Sequence, residues 1–380
     1  MSDQSAQEGS TDIEWQHRGS RDDGGTPAAR VIAFYLPQFH PVAENNEWWG
    51  PGFTEWTNAA RARPLFRGHA QPHLPADLGF YDLRLAETRV AQAELAKQYG
   101  IEAFCYWHYW FAGRRILERP YNDMLSSGVP DFPFCLGWAN QTWTGVWHGA
   151  SDRILIEQTY PGPEDDRAHF AHLLPAFSDP RYFRVNEKPL FYVFRPELLP
   201  EPASFVERWQ AMAAECGLEG LYLVAEVSDL LGKDPTYLEF ERDGFDAGVY
   251  VRLPADTSML ARIKMRMGRK LFHWPERYRY AAQPMTPPAS MAGPKLHPCV
   301  YPNWDNTPRA GTGGLVITGS SPEAFRVHVR SALDSLADHP PETRLLFVKS
   351  WNEWAEGNYL EPDLQYGDGF LRVVAEEVLR

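Results

Sequence analysis

The sequence predicts a (β/α)₈ TIM barrel with long aromatic loop insertions, and three observations point to it. Eight short apolar runs rich in β-branched and aromatic residues recur along the 380 residues, as expected of parallel strands buried on both faces. Segments with apolar spacing near 3.6 residues lie between these runs. Eight such units also suit this chain length. The candidate strands span residues 31–36, 103–107, 132–138, 190–194, 221–225, 247–251, 299–302 and 345–349.

An open doubly wound sheet is the alternative fold for alternating strands and helices. Such a sheet usually has a Gly-rich turn after its first strand, whereas this chain reads Leu36-Pro37-Gln38 there. The barrel is therefore favoured. The helical periodicity predicts helices over residues 83–99, 167–177, 204–215, 322–336 and 370–379. Ser321 is a candidate N-cap for the fourth of them, because Pro322 follows it.

The chain divides into a leader and one large domain. Residues 1–28 are polar and acidic and predict a disordered leader. Residues 29–380 predict a single (β/α)₈ catalytic domain with insertions near 41–79 and 260–298. The first insertion is rich in Trp. The second insertion carries a basic stretch at 262–279, for which a solvated face is the usual interpretation. The alternative is a weak contact with a membrane surface or with a lipid-linked glycan.

Composition and charge favour a glycan ligand over nucleic acid. The chain contains 21 Phe, 17 Tyr and 14 Trp, and aromatic rings offer flat faces on which sugars and bases stack. Its net charge is −13, whereas a nucleic-acid binder normally carries a basic footprint. We therefore expect an oligo- or polysaccharide substrate and no nucleic-acid partner.

The cysteines and the N-terminal residues bear on the cellular compartment. Cys105, Cys135, Cys216 and Cys299 are far apart and form no CxxC pattern, so buried free thiols are expected rather than disulfides or a metal site. Residues 1–26 contain no apolar signal-peptide segment. No run approaches the roughly 18 apolar residues that a membrane span needs. The sequence thus predicts a soluble, cytoplasmic protein.

Most tryptophans follow the candidate strands, at the face of a barrel where active sites form. Trp, Tyr, Asn and His side chains clustered at that face are typical of a carbohydrate cleft, and core packing is the alternative. The candidate substrate-binding residues are Tyr35, Gln38, His40, Trp56, Trp107, His108, Tyr109, Trp110, Trp138, Asn140, Trp143, Trp304, Asp305, Trp351, Asn352, Trp354 and Glu361.

Glu353 and Glu356 are the candidate catalytic residues. They lie three residues apart, directly after the eighth strand, among Trp351, Asn352 and Trp354. In a helical turn their Cβ atoms would be about 5–6 Å apart. Glycoside cleavage uses one protonated carboxyl group and one carboxylate, and two neighbouring carboxyl groups drive their pKa values apart. The alternative is a pair of exposed glutamates at a helix N-terminus, where acidic side chains suit the dipole.

Other catalytic motifs do not occur in the sequence. It has no HExxH, GxSxG or P-loop pattern, and Pro72 between His69 and His73 argues against a metal-binding helix. No Asp-x-Asp occurs, although nucleotide-sugar enzymes commonly use it to hold a metal. We therefore expect no metal and no cofactor.

The chain resembles the WbsX family in five segments: 33–40 (AFYLPQFH), 47–58 (EWWG followed by FTEWTN), 104–111 (FCYWHYWF), 138–140 (WAN) and 351–357 (WNEWAEG). That family is often labelled a glycosyltransferase of polysaccharide gene clusters. It is related to glycoside hydrolase family 99, the endo-α-mannosidases. The resemblance runs from about residue 30 to the C-terminus, and it implies a (β/α)₈ barrel.

The resemblance also implies a retaining mechanism of an uncommon kind. In family 99 the glutamate that matches Glu353 is thought to deprotonate the sugar's own 2-hydroxyl, which attacks C1 and forms a 1,2-anhydro sugar. The glutamate that matches Glu356 acts as acid and then as base. Ala355 stands where family 99 enzymes commonly have His. The attacking hydroxyl must be trans to the leaving group, as in α-mannosides and α-rhamnosides.

Three functional hypotheses follow. The leading one is a retaining, endo-acting glycoside hydrolase for α-manno-configured linkages of mannose or rhamnose. The second is a glycosyltransferase or transglycosylase of O-antigen-type polysaccharide biosynthesis. The third is a non-catalytic glycan-binding protein, for which substitution of Glu356 would leave function intact.

Overall fold

Eight parallel strands form a closed barrel in the computed structural model, which describes residues 26–145, 153–231, 235–281, 287, 293 and 295–380. The barrel strands are β1 (Arg30–Tyr35), β2 (Ala103–His108), β3 (Phe134–Trp138), β4 (Lys188–Val193), β5 (Tyr222–Ser228), β6 (Ala247–Val251), β7 (Leu296–Val300) and β8 (Leu345–Val348). Each strand pairs with its neighbours in the chain, and β8 pairs with β1 through Arg30 opposite Leu345. The predicted barrel is confirmed, and the open sheet is excluded.

The helices of the described residues surround this barrel. They are α1 (Ala43–Trp49), α2 (Glu55–Arg61), α3 (Ala86–Gln98), α4 (Arg119–Ser127), α5 (Pro163–Phe177), α6 (Pro202–Glu215), α7 (Met259–Phe272), α8 (Thr307–Ala310), α9 (Pro322–Ser335) and α10 (Gly369–Val378). The five predicted helices correspond to α3, α5, α6, α9 and α10. Ser321 caps α9 as predicted, because its Oγ accepts a hydrogen bond from the Ala324 backbone N–H at 3.2 Å.

Aromatic side chains fill both sides of the barrel wall. Inside, Phe34 of β1 stacks on Trp107 of β2 with ring centroids 4.8 Å apart and meets the edge of Tyr192 from β4. Outside, Phe191 of β4 stacks on Trp209 of α6 at 4.9 Å. Because side chains pack against both faces of the sheet in this way, the sequences of the strands are continuous apolar runs. All four cysteines are free, and three of them are buried.

Strand β5 is longer than the sequence predicts. The apolar run was expected to end at residue 225, since the next side chain is charged, but the ladder continues to Ser228 and includes Glu226 opposite Val249 of β6. Glu226 is buried inside the barrel because the ammonium group of Lys349 lies 2.9 Å from its carboxylate. Lys349, a buried partner that is distant in the chain, thus permits Glu226 inside the strand, although a charged residue there predicts the end of the strand.

Strand β7 begins three residues earlier than predicted. The prediction started at residue 299, after Pro298, because proline donates no hydrogen bond and is disfavoured inside sheets. In the barrel the strand starts at Leu296, and Pro298 lies opposite Tyr250 of β6. The paired residues on either side keep the strand in place despite the missing donor.

Both predicted insertions contain secondary structure. The first holds α1 and α2, and the second holds α7 and a short strand, Glu276–Arg279. That strand pairs with Leu315–Thr318, which in turn pairs antiparallel with Trp304–Asp305. The second insertion and the leader are described only in part, because residues 1–25, 282–286, 288–292 and 294 lie outside the described residues.

Candidate active site

A cavity of about 330 Å³ opens at the carboxyl ends of the barrel strands. This volume is at the small end of the range for ligand sites, roughly 300–1,000 Å³. Segments that follow most of the barrel strands contribute to its lining. Seven of the sequence-predicted residues line it: Gln38, Trp107, Tyr109, Trp143, Trp304, Glu353 and Glu356.

The two candidate catalytic glutamates lie on a tight hairpin after β8. Asn352–Glu353 pairs antiparallel with Asn358–Tyr359, and a 3₁₀ turn, Trp354–Glu356, joins them. Gly357 closes the turn with φ of 55°, a left-handed conformation that favours glycine. A Cβ at Gly357 would lie 2.8 Å from the backbone nitrogen of Asp305. Glu353 thus lies on the first strand of the hairpin and Glu356 at the end of its 3₁₀ turn, and the side chains of both line the cavity.

Glu356 has a strongly perturbed carboxyl group. Burial raises its pKa to about 8, and the carboxylate of Glu353 adds to the rise, whereas Arg309 opposes it. Glu356 therefore holds its proton at neutral pH and can donate it to the oxygen of a leaving group.

Glu353 is oriented by the indole of Trp107. The Trp107 Nε1–H donates to Glu353 Oε1 at 2.9 Å, and the Trp107 ring is held in turn by its stack on Phe34. The carboxylate thus faces the cavity from a fixed direction, beside a side chain on strand β2. A hydrogen bond to a carboxylate is stronger than one between two neutral groups.

Arg309 connects the hairpin after β8 to the first insertion. Its Nη1 donates to Glu356 Oε1 and its Nη2 donates to Glu55 Oε1, both at 2.5 Å. Glu55 lies on α2 and also accepts the Ala355 backbone N–H at 3.2 Å. Burial raises the pKa of Glu55, and the neighbouring guanidinium of Arg309 lowers it. Sequence reasoning missed both Glu55 and Arg309, because their partners are more than 250 residues and 47 residues away along the chain.

Asp305 holds the segment that carries Arg309. Its carboxylate accepts hydrogen bonds from His69 at 2.6 Å, from Gln71 at 2.7 Å and from the hydroxyl of Thr307 at 2.6 Å. Burial alone would raise the pKa of Asp305, but these hydrogen bonds lower it below its usual range. Asp305 was predicted to bind substrate, which stays a prediction; in the structure its carboxylate supports the start of α8.

A second charged pair lies at the bottom of the cavity. Glu226 Oε2 accepts hydrogen bonds from Lys349 Nζ at 2.9 Å and from the Tyr192 hydroxyl at 2.5 Å. Burial alone would lower the pKa of Lys349, but the Glu226 carboxylate raises it above its usual value. Both side chains line the cavity. The sequence prediction missed them, although Glu226 directly follows the predicted fifth strand.

Twelve predicted substrate-binding residues do not line the cavity. They are buried behind its lining: Tyr35, His40, Trp56, His108, Trp110, Trp138, Asn140, Asp305, Trp351, Asn352, Trp354 and Glu361. Most of their polar atoms bond to the protein itself; the Tyr35 hydroxyl, for example, donates to Gln92 at 2.7 Å. Placement after a strand does not specify which way a side chain points, so these twelve side chains lie outside the cavity lining, and their contact with a ligand stays a prediction.

Some of these buried residues hold the site together. Asn352 accepts the Leu36 backbone N–H at 2.7 Å and donates to the Leu36 carbonyl at 3.1 Å, so it joins the hairpin to the loop after β1. Glu361 accepts hydrogen bonds from Trp354 at 2.6 Å and from Tyr81 at 2.8 Å. Burial raises the pKa of Glu361 to about 7. These contacts fix the backbone on both sides of the two glutamates.

The described residues contain neither a metal-binding cluster nor a membrane-spanning helix. No group of three or more His, Cys, Asp or Glu side chains in this part of the chain is placed to hold a metal ion. Nor does any helix in it have the length and apolar character to cross a bilayer.

The barrel resembles two solved glycoside hydrolase structures. One, described as a glycoside hydrolase-like protein, has a TM-score of 0.57 at 16% identity, over 92% of this chain and 93% of that chain. The other is the GH99 endo-alpha-mannosidase from Bacteroides thetaiotaomicron in complex with bis-tris-propane. Its TM-score is 0.55 at 14% identity, over 92% of this chain and 95% of that chain. At such identities the likeness concerns the fold.

Sequence comparison is more specific. Two curated relatives, both described as uncharacterized protein WxcX, come from Xanthomonas campestris pv. campestris strains B100 and ATCC 33913. They are 40% and 39% identical to this chain over 361 residues, which is 93% of this chain and 50% of each relative. The chain therefore spans about half the length of the curated relatives it matches. Residues 31–374 match the family model described as Glycosyltransferase WbsX, and the chain thus belongs to the WbsX family.

Proposed function

We propose that this chain is a retaining glycoside hydrolase for α-manno-configured linkages, in which Glu356 is the acid and base and Glu353 activates the substrate's 2-hydroxyl. One observation carries the proposal. The side chains of Glu353 and Glu356 line one aromatic cavity, and burial together with the neighbouring Glu353 raises the pKa of Glu356 to about 8. Glu356 is thus suited to donate a proton, and Glu353 is the neighbouring group proposed to accept one, as acid–base cleavage requires.

The proposal of a nucleophile supplied by the substrate rests on the resemblance to family 99, in which the sugar's own 2-hydroxyl attacks C1. The side chains of Glu353 and Glu356 line the same cavity, and Glu353 contributes to the raised pKa of Glu356. The two side chains are therefore near enough to act on neighbouring atoms of one sugar ring.

The first step forms a 1,2-anhydro sugar. Glu353 takes the proton of the 2-hydroxyl, O2 attacks C1, and the bond from C1 to the leaving oxygen breaks. Glu356 gives its proton to that oxygen. In the second step Glu356 takes a proton from water, the water oxygen attacks C1, and the C1–O2 bond breaks while Glu353 returns its proton to O2. Two inversions at C1 give net retention.

The neighbours of the two glutamates support these proton transfers. The guanidinium of Arg309 donates to Glu356 at 2.5 Å, so it stabilises the carboxylate that forms when Glu356 has given up its proton. Trp107 donates to Glu353 at 2.9 Å and keeps that carboxylate aimed into the cavity. Both contacts are preorganised on protein elements, which is how electrostatic catalysis is usually achieved.

The cavity lining suits a sugar chain. Trp49, Trp107, Trp143 and Trp304 contribute aromatic rings, which stack on the apolar faces of pyranose rings. The charged groups at the bottom of the cavity, with Lys349 among them, offer hydrogen bonds to ring hydroxyls. Aromatic side chains from several loops would make several subsites, which favours endo action on an oligo- or polysaccharide.

Transfer to a sugar acceptor is the second candidate function, and the description of the matched family as a glycosyltransferase favours it. The same 1,2-anhydro sugar would be opened by an acceptor hydroxyl in place of water. This proposal concerns the present chain, which spans about half of its curated relatives. Binding of a nucleotide sugar in calorimetry would favour a conventional glycosyltransferase over both barrel mechanisms.

A screen of defined α-mannan and α-rhamnan oligosaccharides, read by mass spectrometry, tests the proposal. The wild type should release fragments, and Glu356→Gln should lose turnover while still binding the glycan. Glu94→Gln, on the exposed face of α3, is the matched control and should keep full activity. Turnover of no manno-configured glycan by the wild type would contradict the hydrolase assignment. Unchanged glycan binding with no turnover in either protein would support a binding module.

A further experiment isolates the neighbouring-group step. A substrate that lacks the 2-hydroxyl at the cleaved residue offers no internal nucleophile, so its cleavage should fall by several orders of magnitude. Cleavage of this 2-deoxy analogue at the rate of the parent glycan would rule out the 1,2-anhydro route, and it would leave the assignment of Glu356 as the acid intact.

A further inference from the structure

We propose that helix α7 and the strand Glu276–Arg279 form a docking surface for an anionic membrane. We call this surface the basic ridge, and it comprises residues 259–279. It does not overlap the cavity lining described above, and the proposal does not depend on glycoside cleavage. The proposed binding partner is a bilayer that exposes lipid phosphate groups.

The basic ridge also carries large apolar side chains on α7, and these are more exposed to solvent than most large apolar side chains of this protein. Leu260, Ile263, Met267 and Leu271 are 71%, 44%, 56% and 62% exposed. Their spacings of three and four residues place them on one stripe of α7. Gly268 is the buried residue of the helix, where Trp274 packs closely against it. The helix therefore rests on the protein by its small-residue side and turns its large apolar side chains outward.

The charged half is basic. Seven Lys and Arg side chains and one Glu lie between residues 259 and 279, a net charge of +6 in a chain whose net charge is −13. Helix α7 itself has no acidic residue, and it carries Arg262, Lys264, Arg266, Arg269 and Lys270. A helix with an exposed apolar stripe flanked by Lys and Arg lies in the interface of anionic membranes, because it buries apolar area and attracts lipid phosphates at once.

A groove beside α7 has the chemistry to receive a phosphate group. Its volume is about 490 Å³, and Lys264, Arg277 and Arg279 contribute to its lining. The guanidinium of Arg277 contacts two aromatic rings, 3.7 Å from the centroid of Phe66 and 4.6 Å from that of Trp274. Its buried Nε has no hydrogen-bond partner among the residues that the structure describes. An anionic oxygen in the groove would meet three cationic side chains and one carboxylate, that of Asp256, which also lines the groove.

The basic ridge and the cavity belong to the same side of the barrel. The strand Glu276–Arg279 pairs with Leu315–Thr318, and that strand pairs with Trp304–Asp305. Trp304 lines the cavity. Two strand spacings, about 10 Å, therefore separate the ridge from the cavity wall. A membrane on the ridge would hold the cavity close to the bilayer, where a glycan attached to a lipid would be found.

Vesicle co-sedimentation of the whole protein tests the proposal. We expect binding to vesicles of phosphatidylcholine mixed with phosphatidylglycerol, little binding to phosphatidylcholine alone, and weaker binding at high salt. The apolar variant Leu260→Ser/Leu271→Ser and the charge variant Arg266→Glu/Lys270→Glu should each weaken binding at least about tenfold. Both pairs of side chains are exposed, so neither variant should change the unfolding midpoint.

Matched controls lie elsewhere on the surface. Leu364→Ser removes a side chain that is 70% exposed, and Lys97→Glu reverses an exposed charge on α3. Both should bind vesicles as the wild type does. Equal binding to the two vesicle types, no binding to either, or equal loss in the controls would overturn the proposal. Self-association in sedimentation velocity that Leu260→Ser/Leu271→Ser abolishes would also overturn it, because the ridge would then be covered by a second copy of the chain.

Discussion

The substitution Glu356→Gln should change how the stability of the protein depends on pH. In the folded protein, burial and the neighbouring Glu353 raise the pKa of Glu356 to about 8, from an ordinary value of 4.5. As the pH rises above 4.5, the unfolded chain loses this proton while the folded protein keeps it, so ionisation favours the unfolded chain. The contribution of Glu356 to stability therefore falls between pH 4.5 and about 8, and it is constant below and above that window.

The size of the effect follows from the shift. Each pH unit inside this window costs about 1.4 kcal/mol, so the wild type should lose about 2–3 kcal/mol from this group between pH 5 and pH 7. Glutamine has no proton to lose and keeps an oxygen that accepts from Arg309. The free energy of unfolding of Glu356→Gln, relative to the wild type, should accordingly rise by about 2–3 kcal/mol from pH 5 to pH 7.

Urea unfolding at pH 5, 6 and 7 measures this difference directly. Other buried carboxyl groups such as Glu361 titrate in both proteins, and their contributions cancel in the comparison. The control Glu94→Gln should differ from the wild type by a constant amount at all three pH values. A constant difference for Glu356→Gln as well would refute the reasoning, because it would mean that the carboxyl group titrates alike in the folded and unfolded states.

Three further results are expected. Arg309→Met leaves the carboxyl groups of Glu55 and Glu356 without their shared cation, so it should lower the free energy of unfolding by about 3–5 kcal/mol. Adding Glu55→Gln should restore part of that loss. Urea titrations measure both effects. Trp107→Phe removes the N–H that holds Glu353, and a hydrogen bond to a charged group is worth about 1.5–3 kcal/mol. We therefore expect kcat to fall about ten- to a hundredfold with little change in KM. An unchanged kcat would exclude an orienting role for Trp107. Finally, the pH profile of kcat/KM should fall above about pH 8, as Glu356 loses the proton that it donates; a profile that stays flat to pH 10 would mean that another group is the acid.

The barrel could be predicted because each of its strands is buried on both faces by its immediate surroundings. The apolar run that contains Phe34 and the one that contains Phe191 carry this information locally, without knowledge of their partners. The predicted ends of strands were less accurate where a residue distant in the chain stabilises a side chain that the local sequence pattern does not expect inside a strand. Lys349 of the segment after β8 neutralises Glu226, and no pattern within β5 indicates that partner.

The candidate site was predictable in its centre and less so around it. Glu353 and Glu356 could be found because they follow the last strand, between aromatic residues. Arg309 could not, since its helix of four residues, α8, has no periodicity and its two partners lie on helix α2 and on the hairpin after β8. The same argument explains Trp351, which follows a strand as predicted but is fully buried away from the cavity. The side that a loop side chain faces depends on tertiary packing, which the sequence order does not contain.

The bridge from Glu55 through Arg309 to Glu356 has a consequence for the variation of this family. Three segments that lie far apart in the chain share one buried cation, so no one of them can change its charge alone. We expect the three positions to covary among relatives, with a neutral residue at position 55 accompanied by a change at position 309. A chimera that takes residues 41–79 from a relative should therefore keep its catalytic hairpin intact only when the matching residue at position 309 is transferred with them.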